Sequence, residues 1–406
     1  MAKSVRIDAL RETIFAPSTR MSINPVAASK SVALQRTDQF VGRTMNWLYD
    51  HLRVLPRYTP VVLCDLLANR HEFPLLEAWS LNHQRLTHRL WRRIAGDRLP
   101  PSDYRRLRRL APCVLHSHFG YVAVDDSSLL TILHIPWVVS FYGADVYQLG
   151  RQAQWQERYA RIFDRAARVL ALGPVMAAHL EKLGCPREKV TIHPLGIDVE
   201  TLPSKPRILL PGQPLKILFA GTFREKKGIR YVIQAVDLAR QAGVPIELDL
   251  VGDEGGKPGD RETKNELFGE IRSLALEKIV THHPFLSFHE LIGLALQSHV
   301  FVGPSVTAED GDAEGTPFVL QQMMATAMPA VATRHSDIPY LFGEHGHLLV
   351  AERDGPAIAK RLQYYFDNPQ ALASDGMMLR DRLRRDFDLR KCATRLSDIY
   401  DVVRDN

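Results

Sequence analysis

The chain has 406 residues, 45% of them hydrophobic, and a net charge of +6. That length suits about two to three domains with sizeable cores, and no run of about 18 apolar residues offers a membrane-spanning helix. Four cysteines, Cys64, Cys113, Cys185 and Cys392, lie far apart with no CxxC pair; this argues against a disulfide framework or structural zinc and for a reduced, cytoplasmic setting, while the modest positive charge permits an anionic partner without naming one.

Residues 1–29 carry Asp8 and Glu12 and no secretory apolar core, and are expected to be a poorly ordered extension rather than a signal peptide. Ser31–Gln35 reads as a first strand, followed by a polar loop over 36–43 and a helix with Trp47, Leu48, His51 and Leu52 on one face. Pro60–Cys64 is a second strand, which gives the strand–helix–strand alternation of an α/β domain. Residues 84–110 hold Arg85, Arg89, Arg92, Arg93, Arg98, Arg105, Arg106, Arg108 and Arg109, opposed only by Asp97 and Asp103. Leu86, Leu90, Trp91 and Ile94 recur there at helical spacing. A basic helix with an apolar face suits an anionic membrane surface; a solvated domain face is the plainer alternative. No recognised module accompanies the charge, so a nucleic-acid partner is not expected.

Strands then fall at Val114–His118, Pro136–Phe141, Arg168–Leu172 and Lys189–His193. Residues 195–214 hold Pro203, Pro206, Pro211 and Pro214 and no periodic pattern, the character of a linker. A second α/β unit opens with the strand Lys216–Ala220 and continues with strands at Ile246–Val251, Ile279–His282, Val300–Val302 and Ala330–Thr333. The expected organisation is an extension (1–29), an amino-terminal Rossmann-like domain (30–194), a linker (195–214), a carboxyl-terminal Rossmann-like domain (215–387) and a final helix (388–406) packing back toward the amino-terminal domain. Two doubly wound domains leave a cleft at their strand ends, a usual place for a ligand.

Two loops carry the chemistry. Gly221 to Gly228 follows a leading strand, holds Arg224, Lys226 and Lys227, and enters a helix; cations beside helix-start N–H groups neutralise a diphosphate. It has neither GxGxxG nor GxxxxGK[ST], which excludes the usual dinucleotide and P-loop sites. Pro304 to Met328 carries Glu309, Asp310, Asp312 and Glu314, then Gly315, Thr316 and Pro317, then an apolar helix. Carboxylates there suit hydroxyls, and the helix start suits an anion. His116 and His118 at one strand end, and Tyr142, Gly143 and Asp145 at the next, face the same rim. No cysteine or carboxylate cluster completes a metal site around the histidines, and the acids crowd into one domain rather than flanking a sugar as hydrolysis requires.

The pieces HSHFG (116–120), FYGADV (141–146), GPVMAAHLEKLGCPREKVTIHPLGID (173–198), AGTFREKKG (220–228), PSVTAEDGDAEGTP (304–317) and MPAVATRHSDIP (328–339) together resemble the retaining glycosyltransferases of family 4, which have the GT-B fold. In particular they are similar to the branch that acts in bacterial exopolysaccharide and colanic-acid-type assembly. The resemblance implies a hexosyltransferase-type enzyme that takes a UDP- or GDP-sugar in the carboxyl-terminal domain and passes the sugar, with retention, to a hydroxyl of a lipid-linked or oligosaccharide acceptor. No DxD lies beside a strand in the manner of metal-dependent transferases, so no metal or other cofactor is expected, although Asp310-Gly311-Asp312 leaves a cation open; with the cysteine usage and the basic 84–110 segment, the expected location is cytoplasmic, at the inner face of the membrane.

By the same resemblance Glu314 opens the family's E-x7-E motif and contacts the donor sugar, with the backbone of Gly221, Gly315, Thr316 and Pro317 around it. The second glutamate falls on Gln322, which keeps an acceptor oxygen for a ribose hydroxyl but no charge. The family lysine is Lys227; the family arginine position is Thr222, and Arg224 is the substitute. Where many members have histidine this chain has Tyr142, which leaves His118 and Asp145 as the other polar groups on the acceptor side. Two alternatives stay open, a sugar-nucleotide epimerase of similar fold and a catalytically degenerate assembly module.

Overall fold

The structure, a computed structural model, describes residues 30–42, 45–69, 73, 76–81 and 100–405. It has two parallel sheets. The first has seven strands in the order β3-β2-β1-β4-β5-β6-β7, namely β1 (Ser31–Phe40), β2 (Tyr58–Leu67), β3 (Glu77–Ser80), β4 (Val114–His118), β5 (Trp137–Ser140), β6 (Arg168–Ala171) and β7 (Val190–Ile192). The second has six in the order β10-β9-β8-β11-β12-β13, namely β8 (Leu215–Ala220), β9 (Ile246–Val251), β10 (Val280–His283), β11 (Val300–Gly303), β12 (Ala330–Thr333) and β13 (Leu349–Val350). Central strands such as Val114–His118, Trp137–Ser140 and Ala330–Thr333 are buried along their whole length. That is why Trp137–Ser140 and Ala330–Thr333 read as near-continuous apolar runs rather than as alternating patterns, while Val114–His118 buries His116, Ser117 and His118 as well.

The strand order reverses beside β1 and β4 in the first sheet and beside β8 and β11 in the second. Ligand crevices of open parallel sheets form at such switch points. The two loops singled out above leave β8 and β11, the pair that register Val300 with Ile217 and Phe301 with Leu218.

The sequence reading stops the first strand at Gln35, whereas β1 runs to Phe40. Arg36 is 3% exposed and lies inside this strand. Its guanidinium pairs with Asp65 at 2.8 Å and with Asp126 at 3.0 Å, and those two carboxylates make its burial tolerable. The basic segment is described only from Pro100 onward. There the Pro101–Leu110 helix buries Leu107 and exposes Arg105, Arg106, Arg108 and Arg109; the predicted apolar positions from 86 to 94 lie outside the described residues, as does the 1–29 extension. No helix among the described residues is long and apolar enough to cross a membrane.

The chain crosses between domains at two adjoining places. Leu195 packs in the first core and Ile197 in a core of the second. On the return, Phe387 lies in the second domain, while Ala393, Leu396, Tyr400 and Val403 of the Leu389–Asp405 helix enter the first core. The two crossings are joined by backbone hydrogen bonds, Ile197 N–H to the Phe387 carbonyl at 2.8 Å and Leu389 N–H to the Ile197 carbonyl at 3.1 Å. Beyond Gly196 the proline-rich segment is tied to the second domain. Arg207, 2% exposed, donates to the carbonyls of Ser298, Ala295 and Thr326 at helix ends, where a cation is favoured. Burial pushes its pKa down to about 10.

Candidate active site

The Gly221–Gly228 loop and the Pro304–Pro317 loop are pressed together by a glycine. Gly228 has φ +66, and a side chain there would come within 1.9 Å of the Pro304 carbonyl oxygen. Only glycine serves both conditions. This contact brings the lysines of the first loop to the carboxylates of the second. Glu314 Oε1 lies 3.2 Å from Lys226 Nζ and 3.1 Å from Lys227 Nζ, and Lys226 Nζ also lies 3.0 Å from Asp312 Oδ1. Burial pushes the Glu314 carboxyl upward, but the Lys226 and Lys227 ammonium groups outweigh it and hold the carboxyl well below the usual carboxylate range. Burial likewise lowers Lys226, yet Glu314 and Asp312 more than reverse this. Two lysine nitrogens thus stand around the Glu314 carboxylate, Asp312 flanks Lys226, and the cluster is little exposed.

Arg224 is not part of this cluster. Its Nε lies 3.3 Å from Asp260 Oδ1, at the start of the Asp260–Ser273 helix. Lys226, one of the loop cations but absent from the site residues read from the sequence, stands beside Glu314 instead. Thr222 contributes its carbonyl to the Arg224 N–H at 2.9 Å within the loop. Thr316 and Gln322 are 5% and 6% exposed, and Pro317 precedes the Phe318–Ala325 helix that carries Gln322. The Thr316 hydroxyl and both amide atoms of the neighbouring Gln321 are buried and have no hydrogen-bond partner among the described residues. Such orphaned groups are uncommon, and each calls for an explanation.

The amino-terminal domain reaches this loop at Tyr142–Gly143. Gly143 has φ +152, and a side chain there would stand 3.0 Å from the Ala313 carbonyl oxygen; one at Gly315 would stand 3.0 Å from the Tyr142 carbonyl oxygen. The flanks of Glu314 thus lie against the opposite domain. Asp145, 1% exposed, faces inward rather than into the cleft. Its carboxylate accepts the N–H groups of Gly120, Tyr142 and Gly143 at 3.0, 3.0 and 2.9 Å and so shapes the turn. Burial raises its pKa against those hydrogen bonds.

His118 is 3% exposed and sits behind Tyr142. Its Nε2 meets Gln35 Oε1 at 3.0 Å, which can only accept, so the ring proton lies on Nε2 and Nδ1 accepts from the Tyr142 hydroxyl at 2.7 Å. The next histidine, His116, bonds Tyr400 at 2.6 Å through Nδ1 and Ser140 at 2.7 Å through Nε2. Burial, then the neighbouring His51, pushes His118 down to about 3, and burial pushes the Tyr142 hydroxyl up. This network is neutral across the physiological range. An internal cavity of about 20 Å³ lies among His51, His116, His118, Tyr142 and His193, room for about one water and far too small for a sugar. Among the described residues no group of three or more His, Cys, Asp or Glu side chains is arranged to hold a metal ion.

Two further residues of the site have no signal in their own composition. His335 Nε2 accepts the Glu314 N–H at 3.0 Å, and Glu352 receives the other ring nitrogen at 2.6 Å. His335 lies inside the MPAVATRHSDIP stretch, which marks its neighbourhood but not its partner.

Two parallel-sheet domains meeting over a charged loop pair at a switch point are the arrangement of the GT-B glycosyltransferases. The chain belongs to glycosyltransferase family 4: the family model described as Glycosyltransferase Family 4 matches residues 57–201, and the one described as Glycosyl transferases group 1 matches residues 203–382. WcaL of Escherichia coli (strain K12), named for colanic acid biosynthesis, is 30% identical over 279 residues, 68% of this chain and 67% of that protein. The amylovoran biosynthesis glycosyltransferase AmsK of Erwinia amylovora is 33% identical over 246 residues, 60% of this chain and 58% of that protein. The crystal structure of Anabaena Alr3699/HepE in complex with UDP-glucose is similar with a TM-score of 0.72 at 16% identity, covering 91% of this chain and 99% of that one, which shows a shared fold. The protein is a glycosyltransferase.

Proposed function

We propose that this glycosyltransferase moves a sugar from a UDP- or GDP-sugar to a hydroxyl of a lipid-linked or oligosaccharide acceptor, with retention, in the assembly of a bacterial exopolysaccharide. The observation that carries the reading is the Lys226–Glu314–Lys227 cluster at the β8/β11 switch point. In the free protein Glu314, with Asp312, neutralises the two lysines. A donor diphosphate takes over that role and frees the carboxylate to bind sugar hydroxyls. Cations fixed in advance beside the leaving diphosphate then stabilise the charge that develops as the glycosidic bond breaks. Arg224, held by Asp260, supplies longer-range positive charge, and Gln322 accepts from the ribose.

On the other side Tyr142 presents its ring and backbone to the acceptor. His118 acts through it by fixing its hydroxyl, and Asp145 holds the turn at Gly143. The donor's own phosphate oxygen takes the acceptor proton, so the neutral histidines need not. The UDP-glucose carried by the Anabaena structure supports a nucleotide-sugar donor, and the colanic acid and amylovoran names of WcaL and AmsK support the pathway class. The exposed arginines of the Pro101–Leu110 helix support peripheral contact with an anionic membrane, at its inner face.

The test is incubation with a panel of UDP- and GDP-sugars, with and without membrane-extracted lipid acceptor. Acceptor-dependent release of nucleoside diphosphate from one donor is the expected result. Conversion of the donor sugar without acceptor would instead make the protein an epimerase, and no turnover of any donor would contradict the reading.

A further inference from the structure

The turn after β12, His335-Ser336-Asp337, holds none of the proposed substrate ligands, yet its three side chains bond to three parts of the molecule. His335, 1% exposed, accepts the Glu314 N–H on Nε2 at 3.0 Å. A bare Nε2 leaves the proton on Nδ1, which donates to Glu352 Oε1 at 2.6 Å. Glu352 Oε2 accepts the Thr307 N–H at 2.9 Å. One carboxylate therefore holds the start of the acidic loop directly and its end through a histidine.

The next two residues face the other domain. Ser336 Oγ lies 2.7 Å from the Tyr147 hydroxyl. Its φ is +44, a conformation that costs a serine energy and persists only when its surroundings impose it. Asp337 is fully buried, and its two oxygens accept the N–H groups of Val175 at 2.8 Å and Met176 at 3.1 Å. These are the first N–H groups of the Pro174–Lys182 helix, because Pro174 has none, and the helix dipole favours a carboxylate there. There is no slack in the fit: a side chain on Gly173 would come within 2.5 Å of Asp337 Cγ. The same helix start touches the loop beside Glu314, since a side chain on Gly315 would lie 2.9 Å from Met176 Cε.

We propose that the His335–Ser336–Asp337 turn sets the position of Glu314 according to the docking of the Pro174–Lys182 helix, with His335 and Asp337 as positioning residues. This rests on the reading of Glu314 as the donor-sugar ligand. When Asp337 holds the helix, Ser336 is kept in its strained conformation and His335 is aimed at the Glu314 N–H. When the helix withdraws, Asp337 loses both donors, the turn relaxes, and the acidic loop loses the hydrogen bond that fixes its end. The enzyme then meets its donor with an ordered Glu314 only when the two domains are together.

The test compares kcat and donor KM for wild type, Glu314→Ala, His335→Ala, His335→Gln, Asp337→Ala and the His335→Ala/Asp337→Ala double variant, each assayed below its own melting temperature. Misplacing a catalytic loop by about 1 Å costs about 100-fold, and His335→Ala is expected to lose about that much kcat. A glutamine amide both accepts from Glu314 N–H and donates to Glu352, so His335→Gln recovers most of the loss. Asp337→Ala is expected to lose about 10-fold or more in kcat with little change in KM, and the double variant to be no slower than His335→Ala, because the two residues act in one chain. Multiplying effects in the double variant, or wild-type kcat in either single alanine variant while Glu314→Ala is inactive, would overturn the proposal and leave the donor site standing. Wild-type activity of Glu314→Ala would instead remove the donor-site reading on which it rests.

Discussion

The two walls of the cleft handle polarity in opposite ways. On the carboxyl-terminal side, Glu314 and Lys226 keep their charges though little exposed, because each is paired, with Lys227 and Asp312 completing the cluster. On the amino-terminal side, Gln35, His116, His118, Ser140, Tyr142 and Tyr400 form an uncharged chain of hydrogen bonds. Buried charge is tolerated where a partner stands within about 4 Å and is otherwise given up by a pKa shift. One wall thus concentrates paired charge, and the other presents shape, its polar groups spent on one another. The transfer proposed above, from a diphosphate donor to a hydroxyl acceptor, would use that division.

The comparison breaks most visibly at Glu314. Glu314→Ala takes from Lys227 its carboxylate and leaves Lys226 with Asp312 alone, and turnover is expected to fall by about 100- to 1,000-fold, the scale for losing a preorganised electrostatic contact; initial rates at saturating donor measure it. Lys227→Ala and Lys226→Ala follow, each expected to lose about 100-fold on the same scale. Arg224→Ala, whose side chain is committed to Asp260, is expected to lose less than either lysine variant. An Arg224 effect as large as that of Lys226 would mean that the loop rearranges to bring the guanidinium in.

On the neutral wall the effects are on stability. Tyr142→Phe strips His118 Nδ1 of its partner, and leaving one buried polar atom unpaired costs about 1–3 kcal/mol. Denaturant unfolding should show that loss, together with a smaller fall in kcat than any of the charged-wall variants. Acid separates the walls as well. His118 and His193 are pushed down to about 3 and His51 to about 4, in each case by burial first. The unfolded chain protonates its histidines near pH 6.5, so between that pH and about 4 it holds protons the folded chain does not. Stability therefore falls as the pH falls through this window, by up to about 1.4 kcal/mol per pH unit for each such histidine. Glu314, depressed in the folded state, adds its own loss only below the ordinary carboxylate range. Melting curves from pH 7 to 5 should thus decline in wild type and decline less in His193→Gln.

Much of this was legible in the chain. Ala330–Thr333 is read to the residue because both faces are buried and the apolar run ends where the sheet does, and Ile246–Val251 because its buried Ile246, Leu248 and Leu250 alternate with Glu247 and Asp249. The two loops that hold Glu314 and Lys227 are read because they sit at strand ends and lead into helices, while the single residues within them come from the family resemblance. Other parts depend on partners far along the sequence. Arg36 belongs to a strand only because Asp65 and Asp126 await it. That Arg224 pairs with Asp260 rather than with the acidic loop depends on a helix that no nearby residue announces. His118 looks like a cleft residue until Gln35 and Tyr142 close over both of its nitrogens. The short strands Glu77–Ser80 and Leu349–Val350 offer too few residues for a periodic signal.

The central claim is that the charged wall receives a nucleoside diphosphate. Its most direct test is the melting temperature of wild type and of Lys226→Ala/Lys227→Ala with UDP, GDP and their sugars. A ligand at about 100 times its Kd stabilises the folded state by about 2.7 kcal/mol. At least one nucleotide should raise the melting temperature of wild type and leave that of the double variant unmoved; an equal rise in both, or no rise in wild type with any nucleotide, would contradict the account.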